Sequence, residues 1–374
     1  MQTPFCVAFQ GRRMAQMSSN PSSGIRQPAA SIISRRSFAV TWVCAVPNLG
    51  GFFGAAPPIH RQSTKLMGTF CEIQVCHSDA VLAQQAIRRA FDEMERVERL
   101  LSNHDPASEL SALNREASRS PFRVSDELLD FVLQCRALYD ATENAFDPTV
   151  GPLVRAWGFF TSHPETPSDR DIAAAKATSG FDKVQVNEAA RTVSFATAGM
   201  EIDSGGIGKG YAVDRAVQVL REVGIEAALV SAGGSTLYAL GSRPGRPGWR
   251  IAIKNPADWQ RPLALVDLCG SSLSTSGISE RSVQAGSRRY SHIFDPRTGE
   301  PVERMCQVTV IAPRAAESDA LTKAAFILPR DSVMNLFRRR PGVHALRIEG
   351  PCGEGSVWIT PWSSSVFLQN RNSS

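Results

Sequence analysis

Apolar side chains recur every three or four positions in several stretches of the chain, which predicts amphipathic helices. One stripe follows Ser78 and Asp79, two residues that can cap a helix, and ends at Leu101. Ser125 precedes a second stripe, and a third follows a glycine run and stops before Gly224, where a glycine commonly ends a helix. Further helices are predicted within 104–114, at 318–328 and at 331–340.

Runs of β-branched and aromatic residues predict strands between these helices. Residues 63–76 are predicted to form one strand, residues 192–203 alternate as a hairpin does, and "EAALVSAGG" (226–234) is predicted to be a buried strand. Residues 144–159 contain so much Pro and Gly that we expect an ordered loop. Other strands are predicted at 249–254, 264–268, 272–276, 289–294, 306–312 and in "HALRIEG" and "SVWIT". Because strands and helices alternate irregularly, the pattern favours an α+β fold over a doubly wound sheet.

The first 56 residues differ in composition from the rest. Residues 1–33 are rich in Ser, Pro and Gln and are predicted to be disordered or to contain a mis-assigned start, in which case the true start is Met14 or Met17. Residues 34–56 combine an Arg-Arg pair, a moderately apolar stretch and small residues, which predicts a twin-arginine export signal and a periplasmic location. A chance pair in a disordered tail is the alternative. Elsewhere the apolar runs are too short to predict a transmembrane span in the mature chain.

Net charge argues against nucleic acid as a partner. The chain carries +5, but five arginines and no acidic residue lie in residues 1–56, so 36 basic residues face 36 acidic ones in the remainder. A neutral folded part lacks the basic surface of a nucleic-acid-binding protein. The six cysteines after residue 56 form no C-x-x-C pair, so zinc is not predicted, and buried thiols are expected.

Two motifs have the chemistry of an anion site. In "EIDSGGIGKGYAVDRA" (201–216) glycines precede a helix, so backbone N–H groups and Lys209 can face a phosphate. A plain glycine turn is the alternative. In "RRYSHIFDPRTGEPV" (288–302) His292 lies in a predicted strand, where it is either structural or a general base.

A third motif, "ESDALTKAAFIL" (317–328), places three polar groups on one helical face. Thr322 and Lys323 follow Asp319 by three and four residues, the spacing of neighbours on a helix. Three interpretations are open: a metal site, a site in which lysine replaces a metal, or an ordinary ion pair.

Seven motifs, in this order, resemble those of the FAD:protein FMN transferases, the ApbE family. They are "MGT" (67–69), "SELSALN" (108–114), "AFDPTVGPLVRAWGF" (145–159), "DSGGIGKGYAVDRA" (203–216), "STSG" (274–277), "SHIFDPRTGEPV" (291–302) and "DALTKAAFIL" (319–328). The resemblance covers about residues 64–330. It implies an ApbE-like (T-fold-like) single large domain of mixed sheets and packed helices, which we place at 64–365.

The resemblance also implies an activity. Members of the family bind FAD and Mg²⁺ and transfer FMN to a Ser or Thr hydroxyl of a partner protein, releasing AMP. The expected partners are therefore FAD and an acceptor flavoprotein of a membrane electron-transfer chain. Two alternatives are a non-catalytic periplasmic protein that binds FAD for storage or assembly, and an FAD pyrophosphatase.

Carried over by position, the resemblance implies a set of site residues. It assigns catalysis to His292, as the base, and to Asp319. It assigns the metal to the carbonyl of Gly206 and to Asp319, Thr322 and the position of Lys323. It assigns FAD contacts to Met67, His104, Ala145, Phe146, Asp147, Asp203, Lys209 and His292.

Three positions depart from the family pattern. His104 stands where the family usually has Tyr, and Ser235 where many members have Asp. Lys323 stands where the family has a hydroxyl that binds the metal. A protonated ammonium cannot bind Mg²⁺, so we expect Thr322 to supply the oxygen and Lys323 to face the pyrophosphate. The competing interpretation is that Lys323 takes the place of the cation.

Overall fold

The computed structural model describes residues 56–158, 166–277, 282–285, 288–291, 293–302, 305–350, 355–360 and 366–368. Residues 1–55, which contain nearly all of the predicted export signal, and His292 lie outside these ranges. What the sequence predicts for them stays a prediction.

The described residues form the following elements. The helices are α1 Ala80–Leu101, α2 Glu109–Glu116, α3 Asp126–Ala141, α4 Gly151–Ala156, α5 Asp169–Ala177, α6 Gly208–Glu222, α7 Ala315–Ile327 and α8 Arg330–Arg338. The first nine strands are β1 Ile59–Leu66, β2 Thr69–Cys76, β3 Phe122–Arg123, β4 Val184–Asn187, β5 Thr192–Phe195, β6 Ala228–Ala232, β7 Thr236–Leu240, β8 Trp249–Asn255 and β9 Asp258–Leu268. The others are β10 Ser271–Gly277, β11 Ser282–Ala285, β12 Arg288–Ser291, β13 Phe294–Asp295, β14 Glu300–Pro301, β15 Met305–Ala312, β16 His344–Glu349, β17 Ser356–Ile359 and β18 Val366–Leu368.

An eight-stranded sheet organises the molecule. Its strand order is β1-β2-β6-β7-β10-β15-β16-β17, and neighbours pair antiparallel. Such a sheet grows by hairpins, whereas a doubly wound sheet needs parallel crossovers. The predicted α+β fold in a single domain is therefore confirmed.

Both faces of this sheet are buried, each against a different layer. Helices α1, α3, α6 and α7 cover one face with the larger apolar core. A three-stranded sheet in the order β18-β9-β8 covers the other, where Trp249, Ile251 and Val266 pack against Leu229 and Leu346. This three-layer arrangement explains why β6 and β7 are buried along their whole length.

Local signals predicted several elements correctly. The carboxylate of Asp79 accepts hydrogen bonds from two N–H groups of the first turn of α1, and the hydroxyl of Ser125 caps α3 in the same way. Helix α6 ends before Gly224, whose φ of 80° is the left-handed conformation expected there.

The strand predicted at 63–76 is wrong in one respect. The chain reverses at Met67 and Gly68, whose φ angles are 52° and 69°, and Leu66 pairs with Thr69 across the turn. Two consecutive residues with positive φ form the two-residue turn that suits the twist of a hairpin. Met67 is thus at the tip of a β-hairpin rather than inside a strand.

Other predicted boundaries also need correction. Residues 192–203 do not form a hairpin with each other, because β5 pairs with β4 and β3. The loop predicted at 144–159 contains α4, and the strand predicted at 289–294 is described as two short strands, β12 and β13. Strand β3 lies far from β5 in the chain, so the alternation within residues 192–203 does not identify it as a partner.

Cysteine chemistry agrees with the prediction at most positions. Cys71 and Cys135 are buried free thiols, and burial raises the pKa of the Cys71 thiol to about 12. Cys306, however, is disulfide-bonded, and Cys269 is an exposed thiol, so the expectation of buried thiols is wrong at these two positions. Within the part of the chain that the structure describes, no helix has both the length and the hydropathy needed to cross a membrane.

Helices α6 and α7 approach each other unusually closely at their first turns. A β-carbon added at Gly210 would lie 2.2 Å from the carbonyl oxygen of Ala315 and 2.6 Å from the α-carbon of Ala316. These are backbone atoms, which cannot rotate away. Only glycine allows the two helices to pack at this distance.

Each of these two helices supplies a carboxylate that accepts hydrogen bonds from the other. Asp214 on α6 accepts from the N–H groups of Ala315 (2.7 Å) and Ala316 (2.9 Å), which begin α7. Asp319 on α7 accepts from the N–H of Gly210 (3.1 Å), in the first turn of α6. The residues that precede the two helices, both of them described, make no side-chain cap. The reciprocal bonds therefore satisfy N–H groups that a helix start leaves unpaired.

We predict that Gly210→Ala lowers the free energy of unfolding by about 3 kcal/mol, because the added methyl group meets rigid backbone. Helix propensity alone predicts the opposite sign, a gain of about 1 kcal/mol. Urea denaturation measures the difference.

The matched control for this substitution is Gly245→Ala, in an exposed turn with φ 72° and nothing within 4 Å of the added carbon. It should cost only about 1 kcal/mol, the strain of a left-handed alanine. A Gly210→Ala protein as stable as the parent would contradict the close packing of α6 and α7.

Candidate functional site

The polar cluster of α7 forms a buried ion pair at the α6–α7 contact. Asp319 is 2% exposed. The ammonium of Lys323 donates hydrogen bonds to the Oδ1 of Asp319 and, at 2.9 Å, to its backbone carbonyl oxygen. The Lys323 side chain is 17% exposed, so the pair is not the surface interaction that one interpretation of the sequence proposed.

The surrounding charges decide the ionisation of Asp319. Burial acts to raise the pKa of its carboxyl, but attraction to Lys323 and Lys209 and the hydrogen bonds from Lys323 and Gly210 outweigh that effect and lower it. The carboxylate is therefore ionised at neutral pH. Its negative charge is stabilised by Lys209 of α6 and Lys323 of α7.

Hydroxyl groups of β10 form hydrogen bonds with hydroxyl groups of α7. Thr322 is fully buried; its hydroxyl donates to the carbonyl of Asp319 (2.6 Å) and thus accepts from the hydroxyl of Ser276 (2.8 Å). Ser318 bonds to the hydroxyls of Ser272 and Ser274 at 2.7 Å each. The "STSG" motif therefore lies in a strand, and its side chains hold the helix that carries Asp319.

The glycine turn before α6 is fixed by residues far away in sequence. Asn114 accepts from the N–H of Ile202 (2.8 Å) and donates to its carbonyl (2.9 Å), and Asn103 donates to the same carbonyl (2.7 Å). Asp203 then accepts from the N–H of Gly205 (2.7 Å) and starts the short 3₁₀ turn 204–206. Asn114 belongs to the motif "SELSALN", but this positioning role is not evident from the sequence.

Three predicted FAD-contacting regions meet at the glycine turn. A β-carbon at Gly206 would lie 3.3 Å from the ring of Phe146, and one at Gly208 would lie 3.8 Å from the terminal methyl of Met67. Lys209 follows in the first turn of α6, and its ammonium makes no hydrogen bond or ion pair with the described residues. The turn therefore combines apolar surface, backbone N–H groups and a positive charge.

Residues 145–147 are packed inside the molecule. Ala145 and Phe146 are buried, and the carboxylate of Asp147 accepts from the N–H (2.8 Å) and hydroxyl (2.6 Å) of Thr149. Burial raises the pKa of Asp147, and the bonds from Thr149 oppose that rise. The carboxylate of Asp147 is thus used in hydrogen bonds within its own loop. A direct contact between Asp147 and FAD stays a prediction.

The same loop brings the turn after β13 towards the site. The indole of Trp157 donates to the carbonyl of Gly299 (3.0 Å), and its ring packs 6.1 Å from that of Phe294. Arg297 and Asp295 form a two-fold hydrogen-bonded ion pair within this turn. Ile293, the next residue in the sequence after His292, is buried. The role of His292 as a base stays a prediction because His292 lies outside the described residues.

His104 occupies an exposed loop after α1. It follows Asn103, one of the two asparagines that hold Ile202, and its N–H donates to the hydroxyl of Ser102 (3.2 Å). The structure thus places it one residue from a group that fixes the glycine turn. Stacking of His104 on a ligand stays a prediction.

The residues that the resemblance assigns to Mg²⁺ do not fit that ion as they are arranged. Mg²⁺ requires near-octahedral oxygen ligands. One oxygen of Asp319 accepts from the ammonium of Lys323 and the other from Gly210, while Thr322 bonds to Asp319 and Ser276. Gly206 adds at most a carbonyl oxygen, and the described residues contain no group of three His, Cys, Asp or Glu side chains placed to bind a metal. The ammonium of Lys323 lies against Oδ1 of Asp319, where the resemblance would place the metal ion.

Comparison with known proteins supports the resemblance. The sequence model of the ApbE family matches residues 67–347. An FAD:protein FMN transferase of Klebsiella pneumoniae is 32% identical over 338 residues, covering 87% of this chain and 95% of that protein. One of Escherichia coli is 32% identical over 318 residues, covering 82% and 89%.

Solved structures agree in fold. An ApbE protein of Thermotoga maritima superposes with a TM-score of 0.74 at 29% identity, covering 81% of this chain and 97% of that one. The flavin transferase ApbE of Vibrio cholerae gives 0.70 at 30% identity, covering 81% and 98%. The family match spans every described motif of the α6–α7 site, and we conclude that the chain belongs to the ApbE family.

Proposed function

We propose that the chain is an FAD:protein FMN transferase. The observation that carries this proposal is the junction of α6 and α7, where helix N–H groups, Lys209 and Lys323 surround one ionised carboxylate next to Met67 and Phe146. A flavin dinucleotide needs this combination, because its pyrophosphate is anionic and its isoalloxazine ring is largely apolar. The named relatives, which align over most of this chain, support the same assignment.

The reaction joins the FMN phosphorus to a hydroxyl oxygen. A Ser or Thr of the acceptor attacks this phosphorus, the bond to the bridging oxygen of the pyrophosphate breaks, and AMP leaves with that oxygen. The hydroxyl proton passes to a base, for which His292 is our candidate. Protein groups contribute mainly by positioning and by stabilising the charge that develops on the leaving phosphate.

Charge balance at the site suits that task. Lys209 and Lys323 carry two positive charges against the one negative charge of Asp319, and the start of α6 adds partial positive charge. An anion placed there is stabilised without reorganisation of the protein during the reaction. Asp319 acts by holding Lys323 and the first turn of α6 in place.

The rest of the proposal concerns context. We propose that residues 34–56 direct twin-arginine export, that the mature protein works in the periplasm through a domain at 64–365, and that its acceptor is a flavoprotein of a membrane electron-transfer chain. Disulfide-bonded Cys306 supports export, because disulfides persist in oxidising compartments. The family resemblance also implies Mg²⁺, but the contacts of Lys323 leave no fitting site for it at Asp319.

Two other functions remain candidates because Lys323 replaces a family hydroxyl. The first is a non-catalytic FAD-binding protein that serves storage or assembly. The second is an FAD pyrophosphatase, in which water replaces the acceptor hydroxyl. All three bind FAD, so only the products separate them.

The proposal predicts that the purified chain, FAD and an acceptor domain with an accessible threonine give flavin-labelled acceptor and AMP in equal amounts. Flavin fluorescence in denaturing gels and chromatography of AMP measure both products. Lys209→Met should lower kcat/KM by about tenfold to a hundredfold, because one hydrogen bond to a charged phosphate is worth about 1.5–3 kcal/mol.

The control for Lys209→Met is Arg99→Thr, which removes a remote positive charge from an exposed pair with Glu95. It should leave transfer unchanged. Bound FAD without AMP or labelled acceptor would refute transfer in favour of the binding protein. FMN and AMP without labelled acceptor would favour the pyrophosphatase.

Export to an oxidising compartment predicts that Cys306 is cross-linked in the mature protein. Among the described cysteines, Cys71, Cys76, Cys135 and Cys269 are free thiols. Peptide mapping without reductant should therefore recover Cys306 in a disulfide-linked peptide, with Cys269 alkylated as the internal control. Alkylation of Cys306 in unreduced, denatured protein from the native cell would contradict the export proposal.

A further inference from the structure

Lys323 makes the contacts that a bound cation would make with Asp319. Unlike a metal ion, its ammonium cannot be coordinated by ligands. It instead donates hydrogen bonds to two oxygens of Asp319, Oδ1 and the backbone carbonyl oxygen. We propose that this ammonium permanently replaces a divalent cation in neutralising the FAD pyrophosphate, so that FAD binding does not require Mg²⁺. The inference rests on the proposed function and concerns the same site.

The first argument is that both carboxylate oxygens of Asp319 already accept hydrogen bonds. Its Oδ2 accepts from Gly210, and its Oδ1 accepts from Lys323. Release of Oδ2 would break the hydrogen bond that joins α7 to the first turn of α6. Release of Oδ1 would leave the ammonium of Lys323 without its carboxylate, in a side chain that is 17% exposed. The first change leaves the buried N–H of Gly210 without its partner, and the second separates an ion pair whose carboxylate is buried, so both are unfavourable.

The second argument is that Lys323 is fixed in position. It follows Asp319 by four residues, and a helix places residues at this spacing side by side. Helix α7 is itself held by the hydroxyls of β10 and by Asp214. A metal at Asp319 would then stand next to both Lys323 and Lys209, and the repulsion between these cations disfavours it.

The third argument is charge. The carboxylate of Asp319 and the two lysines sum to +1, and the second carboxylate of the junction, Asp214, has Arg314 as its partner at 3.9 Å. The site therefore attracts a pyrophosphate without any ion from solution. An ammonium is a weaker electrophile than Mg²⁺, but it cannot be lost to chelators. The chain therefore contains its own cation.

The experiment compares FAD binding with and without Mg²⁺. The full purified chain is stripped of metal, and FAD fluorescence quenching is titrated in EDTA and in millimolar Mg²⁺. We expect equal dissociation constants in the two media. Lys323→Thr restores the family's hydroxyl; it should weaken binding in EDTA by about tenfold, the loss of a charged hydrogen bond, and Mg²⁺ should recover that loss.

Arg99→Thr is the matched control. Arg99 and Glu95 have the same i,i+4 spacing as Lys323 and Asp319, but their side chains are 62% and 53% exposed. This variant should bind FAD as the parent does in both media. Lys323→Arg keeps the charge and should stay insensitive to Mg²⁺, which preserves the test if Lys323→Thr does not fold.

The outcomes separate the inference from the proposed function. Parent protein that binds FAD only with Mg²⁺ would overturn the inference and leave the transferase proposal intact. Parent protein that binds no FAD in either medium would overturn both. Calorimetric titration of the FAD-loaded parent with Mg²⁺ should show no saturable heat, and a stoichiometric binding event that requires Asp319 would also overturn the inference.

Discussion

The exchange of hydrogen bonds between the first turns of α6 and α7 is the constraint on which the site depends. Gly210 lets the two backbones meet, Asp214 satisfies the start of α7, and Asp319 satisfies the start of α6. A helix start presents unpaired N–H groups and partial positive charge. By capping α6 from α7, the protein places an ionised carboxylate inside its core and must then balance that charge.

Lys323 and Lys209 provide that balance and link stability to function. A buried carboxylate without a partner would be costly, so the lysines that lower the pKa of Asp319 are also part of the fold. Asp319 holds the ammonium of Lys323 in place, and Lys209 lies at the glycine turn near Met67 and Phe146. The same charges that make the helix junction stable thus create an anion site beside an apolar surface. This arrangement fits the proposed binding of a flavin dinucleotide and the proposed replacement of a metal by a protein cation.

Local chemistry made part of this structure predictable. Asp79 and Ser125 cap their helices because capping depends on neighbours two and three residues away, and the i,i+4 spacing predicted that Asp319 and Lys323 meet. The reciprocal caps join residues about a hundred positions apart, so no periodicity predicts them. The hydrogen bonds between Asn114 and Ile202 likewise depend on packing between distant segments. The same holds for whether a metal ion or Lys323 balances the charge of Asp319. Met67 was placed within a strand because an alternating pattern continues through a two-residue turn.

The most direct measurement is a crystal structure of the protein with FAD and Mn²⁺, with anomalous scattering used to locate the metal. We expect the pyrophosphate beside Lys209 and Lys323, an intact Asp319–Lys323 pair and no anomalous peak at Asp319. A Mn²⁺ peak between Asp319 and the phosphates, with Lys323 turned away, would contradict the replacement of the metal by lysine.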